Sequence, residues 1–269
     1  MIERVVGIDF SAARTAGKSI WVARGLVEKD GVLIESCARL CDVDARATDL
    51  PGAMAALREV IAGAGDAVVG LDFPFGVARE MIDEATWEAF VEGFDGRWED
   101  AGAFRRELFE STGGKELKRE TDRAMSTPMS PINLRLHRQT FHGIRDVLRP
   151  LVMEGRARAG PMQARVEGLP LLVEICPAST LKRLGLRRPY KGRGAERAAA
   201  RKALVKLVEG AEGLRFAGRS ARAAAIENEG GDALDAALGC VGAARAARDS
   251  ARFDRAVDGV GAIEGEVFC

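Results

Sequence analysis

The chain has 269 residues, 47% of them hydrophobic, and its 40 basic and 40 acidic residues cancel. That excludes wholesale disorder and a histone-like polycation, and leaves any charge steering to local patches. No apolar run approaches the roughly 20 residues of a membrane span, and five scattered cysteines without a C-x-x-C pair predict free thiols in a reducing cytoplasm.

The N-terminus shows no secretory signal; it opens on a strand-like run, with RVVGIDF inside it. SIWVARGLV (19–27) and VLIESCARL (32–40), separated by Lys29, Asp30 and Gly31, predict a hairpin. Residues 51–64 have Pro51 at a helix start and apolar residues at 54, 57, 60 and 61, which is helical spacing. AVVGLDF (67–73) follows as a continuous apolar run of the kind found in buried parallel strands. Residues 77–168 lack strand patterns and read as a helical insertion within a single domain spanning 1–269. Their charge is segregated, with ten acids against four bases over 79–110 and eleven bases against five acids over 111–165. PLLVEIC (170–176) predicts a fifth strand stopped by Pro177, with a helix starting at Ser179–Thr180. Residues 194–211 and 231–248 predict two long helices, and the tail AIEGEVFC predicts a short edge strand.

VVGIDF (5–10) and VVGLDF (68–73) repeat one another, and each delivers an aspartate, Asp9 or Asp72, at the end of an apolar strand. A carboxylate there is unfavourable unless it is paired, hydrogen-bonded or bound to a cation. Open parallel sheets bind ligands at these carboxyl ends. Glu174 sits similarly in LLVEIC. Asp232 and Asp235, at i and i+3, share one face of the last long helix. Acids in a first helical turn also suit the helix dipole, but Asp235 lies among Ala and Leu and reads as buried. Five carboxylates brought together repel one another unless cations bind. An oxygen-only donor set points to Mg²⁺ or Mn²⁺, and two such ions about 4 Å apart are a known device for phosphodiester cleavage. His137 and His142, five apart, lie off a common helix face and do not make a zinc site.

The succession of three strands, helix, strand and a late helix carrying Asp-x-x-Asp resembles the ribonuclease H-like fold, and that helix resembles its counterpart in RuvC-type junction resolvases. GIDFSA, GLDFPFG, SPINLRLHRQTF, VEICPAST and GDALDAALG resemble the family called domain of unknown function 429, read as nucleases of that fold. The resemblance spans nearly the whole chain. It implies an α/β five-stranded mixed sheet of order 3-2-1-4-5, strand 2 antiparallel, with helices on both faces and the insertion between strands 4 and 5. It also implies metal ligands at Asp9, Asp72, Asp232 and Asp235. Glu174 is a further candidate ligand, on a strand where these nucleases do not usually carry one.

The insertion clusters Lys115, Lys118, Arg119, Arg123, Arg135 and Arg138, of which Lys115, Arg119, Arg123, Arg135 and Arg138 are candidate phosphate contacts; Asn133 is a candidate cap for a helix over Leu134–Leu148. Arg187, Arg188, Lys191 and Arg193 form a second basic patch around Tyr190. Sparse aromatics argue against binding single strands by base stacking. The expected function is a metal-dependent phosphodiester hydrolase, a nuclease, acting on nucleic acid or another phosphodiester. The alternatives are a non-catalytic nucleic-acid- or partner-binding protein on the same fold, and an ATP-binding actin-like protein. The actin-like alternative is weakened by chain length and by the missing glycine after Asp9.

Overall fold

The computed structural model describes residues 2–269. Its centre is a mixed, mainly parallel sheet with helices on both faces. The strands are β1 (Arg4–Asp9), β2 (Trp21–Glu28), β3 (Gly31–Arg39), β4 (Ala67–Leu71), β5 (Arg158–Ala159), β6 (Leu171–Ile175), β7 (Leu214–Phe216) and β8 (Val267–Phe268). They lie in the order β5-β6-β4-β1-β2-β3-β7, and β8 adds to the outer edge of β6 beyond β5. Only β2 runs antiparallel to its neighbours.

The five expected strands keep their expected sequence across the sheet, as β3-β2-β1-β4-β6, but the sheet has eight strands and not five. Of the three added strands, β8 is the short edge strand expected in the tail, while β5 and β7, of two and three residues, are too short to display a period. One of them, β5, lies inside the segment expected to be helical. The rest of that segment is a series of short helices, with Trp87–Glu92, Ala101–Ser111 and a continuous helical stretch from His137 to Met153 among them. The expected cap at Asn133 is displaced. Its side chain accepts from the Arg135 N–H, and helix begins only at His137, because the turn at 130–136 uses up the intervening backbone bonds.

The repeated glycine of VVGIDF and VVGLDF has a packing cause. Gly7 and Gly70 are register partners on β1 and β4. The Asp232–Arg248 helix crosses them backbone to backbone, so that a Cβ on Gly7 would lie 2.1 Å from the Ala236 carbonyl oxygen, while Gly239 answers from the helix side. This contact fixes the first turn of the helix beyond the strand ends, where Asp9 and Asp72 emerge. The phenylalanine after each aspartate turns the other way. Phe10 and Phe73 meet at 4.7 Å between ring centroids in the core on the opposite face. That core takes in the Leu50–Ala62 helix and the insertion's Phe90, Phe94, Trp98, Phe104 and Phe141.

Candidate metal centre

Asp9 is the last residue of β1, and Asp72 follows β4, its N–H bonded to the Ile8 carbonyl. Asp235 lies in the first turn of the Asp232–Arg248 helix, which starts after Gly231 at φ +81°, a left-handed conformation that suits glycine. These three carboxylates line one cleft of about 230 Å³ with Glu174, Tyr190, Lys191, Gln139 and residues 127–129 of the insertion. Asp9 and Asp235 are buried, and Asp72 and Asp232 are half-buried. Asp232 does not line the cleft but is close enough to Asp9 to raise the energy of its charge.

Burial and the neighbouring charges of Asp235 and Asp72 push the Asp9 carboxyl well above the ordinary carboxylate range. Burial and Asp235 raise Asp72 to about 8. Burial also raises Asp232. Lys191 opposes all three shifts, and its ammonium pairs with Asp235 Oδ2 at 2.5 Å. Burial works against that ammonium's charge, but Asp235 and Asp9 outweigh it and hold its pKa above the usual lysine value. The Tyr190 hydroxyl donates to Asp235 Oδ1, and burial beside that carboxylate keeps the phenol protonated.

The donor chemistry fits a hard divalent cation only in part. Among the described residues, no three His, Cys, Asp or Glu side chains form a preformed metal cage. Asp9 and Asp72 accept no hydrogen bond there, and the charge of Asp235 destabilises both, with Asp72 adding to the effect on Asp9, whereas Asp235 is engaged on both oxygens. Two free carboxylates fit Mg²⁺, which keeps several waters and is commonly held by one or two carboxylates and a substrate phosphate.

Three sequence expectations are revised. Asp232 is expected among the metal ligands, but its carboxylate lies back over Gly230 and stands outside the cleft. Glu174 is not free to bind metal. Its carboxylate accepts from both terminal nitrogens of Arg119, at 2.5 and 2.7 Å, and from the Phe75 N–H at 2.9 Å. Arg119 is 0% exposed and is not an accessible phosphate contact. It also grips Asp122 at 2.9 and 3.0 Å and the Glu264 carbonyl at 3.0 Å, because a guanidinium buried in the wall must satisfy its donors there. Lys115, Arg123, Arg135 and Arg138 are exposed, and none lines the cleft. The residues that sequence reasoning missed as cleft components are Tyr190, Lys191 and Gln139. The patch around Tyr190 was the one signal for the first two.

The raised carboxyls predict a pH effect on stability. Between the ordinary value near 4 and about 8 for Asp72, the folded state holds protons that the unfolded chain has released. This contribution is full below about pH 4 and is lost as pH rises through about 8. Without divalent cations, the wild-type Tm should therefore fall between pH 5 and pH 9. Asp72→Asn should flatten the curve and exceed wild type at pH 9 by on the order of 5 °C. Parallel curves for the two proteins would contradict this account.

No protein-family model and no curated protein matches the chain. Among solved structures, the chain is similar to the crystal structure of the yeast mitochondrial Holliday junction resolvase Ydc2, with 13% identity and a TM-score of 0.41, over 93% of this chain and 82% of that one. No residue role is carried across at that identity. Among the described residues, no helix is long and apolar enough to cross a membrane.

Proposed function

We propose that this chain is a Mg²⁺- or Mn²⁺-dependent phosphodiester hydrolase of ribonuclease H-like type, acting as a nuclease, as its resemblance to domain of unknown function 429 implies. The observation that carries the reading is the meeting of Asp9, Asp72 and Asp235 in one cleft at the carboxyl edge of a mainly parallel sheet. Asp9 and Asp72 would hold the ion. A bound divalent ion supplies the positive charge that an anionic diester needs and the acidity that makes water a nucleophile near neutral pH.

The chain's own residues then have defined tasks. Lys191 offers an ammonium to a phosphoryl oxygen entering the cleft. Tyr190, a neutral donor, keeps Asp235 oriented. Gln139 ties the roof to the end of β1 through the Phe10 carbonyl at 2.7 Å. Space of about 230 Å³ in a cleft open to solvent admits a phosphate group to the aspartates.

The test is a panel of branched and linear DNA, RNA and small phosphodiesters incubated with Mn²⁺. Cleavage of at least one member supports the reading, and no cleavage of any returns the chain to the binding-protein alternative. For a nucleic-acid substrate, Arg123→Ala and Arg135→Ala should each reduce the slope of log affinity against log salt by about 1, with cleavage of bound substrate little changed. An unchanged slope would remove these arginines from the interface.

A further inference from the structure

Lys191 is not arranged like an ordinary surface lysine. Arg201, 2% exposed, pins the backbone on both sides of it, donating through one terminal nitrogen to the Tyr190 carbonyl at 2.8 Å and the Gly192 carbonyl at 3.0 Å. Its Nε is anchored on the Ile226 carbonyl at 2.7 Å. The Gly192 N–H adds a bond of 2.7 Å to the Glu229 carbonyl. The Tyr190 ring closes against Gly231 at the head of the Asp232–Arg248 helix. From this fixed base the half-exposed side chain turns its ammonium inward onto Asp235, whose side chain is 3% exposed. The stem stays half in water while the ammonium is drawn to the aspartates, the reverse of the usual arrangement in which a lysine keeps its charged head in solvent.

With Asp9 and Asp72 given to one ion, Asp235 is the remaining cleft aspartate on which a second ion would have to draw. Its two oxygens already serve Tyr190 and Lys191, and a divalent ion beside the ammonium would meet a like charge at short range. We infer that Lys191 is the cleft's built-in second cation, so that the site takes one divalent ion, on Asp9 and Asp72, where a site without this lysine would take two. The inference rests on the hydrolase reading for its chemistry, since a tethered ammonium facing a phosphoryl oxygen does electrostatically what a second ion would do. It departs from the two-ion arrangement expected from the carboxylate count.

The test counts ions and does not depend on turnover. Mn²⁺ is titrated calorimetrically into wild type, Lys191→Met, Lys191→Arg and Asp9→Asn, and the loaded proteins are examined by electron paramagnetic resonance. Wild type and Lys191→Arg should bind one ion with an uncoupled Mn²⁺ spectrum, and Lys191→Met should bind two with an exchange-coupled spectrum. Lys191→Arg guards against an unfolding artefact, because it keeps the charge. Two ions in wild type, or one ion in a folded Lys191→Met protein, would overturn the inference while leaving the hydrolase reading intact. No Mn²⁺ bound by wild type, with Asp9→Asn indistinguishable from it, would overturn both.

Discussion

Asp9→Asn is expected to reduce Mn²⁺-dependent cleavage by on the order of 10³-fold or more, the loss that follows when several kcal/mol of transition-state charge stabilisation is removed. The substitution keeps the shape of the side chain. It removes one charge from a cluster in which Asp235, Asp72 and Asp232 all destabilise the ionised form of Asp9. The metal-free protein should therefore keep its fold, with a Tm equal to or above that of wild type. Single-turnover cleavage and thermal denaturation on the same preparation separate the two effects. Full activity in a folded Asp9→Asn protein would end the assignment of Asp9 to the reaction.

The largest loss of stability is expected from Arg119→Met. Removing the guanidinium strands Asp122 and Glu174 in a wall where both are buried. Breaking such a cluster from one side costs about 3–5 kcal/mol, whereas replacing the whole group by apolar side chains is often neutral. At 2–4 °C per kcal/mol, Arg119→Met should lower Tm by about 10 °C. Adding Asp122→Leu and Glu174→Leu should recover much of the loss. Arg123→Ala, at an exposed position of the Glu120–Ala124 helix that Arg119 precedes, should change Tm by no more than about 1 °C. A small effect of Arg119→Met would mean that water reaches this cluster and screens it.

The part of the site that was legible in the sequence is the part encoded locally. The Asp9 and Asp72 strands announce themselves as apolar runs ending in an acid, and Asp232-x-x-Asp235 declares a shared helical face. Gly7 and Gly70 are legible as a repeat, but their cause, a helix backbone lying across both, requires the third dimension. The meaning of Glu174 was half legible. A carboxylate in an apolar strand needs a partner, yet nothing local says whether that partner is a metal or an arginine 55 residues earlier. Lys191 was visible only as one cation in a basic stretch. Its role depends on Arg201 and on the head of a helix some forty residues later, contacts that no period or spacing encodes.

The roof of the cleft is fastened to its floor. Ile132 and Phe141 belong to the same core as Leu71 and Phe73 beneath the sheet, Thr140 holds the Pro131 carbonyl at 2.7 Å, and Gln139 holds that of Phe10. A roof set in this way acts as a fixed gauge and not as a swinging door. Recognition should then work by exclusion, with the width of the opening deciding which phosphodiesters reach the aspartates, and ligand binding should leave hydrogen exchange across residues 127–144 almost unchanged.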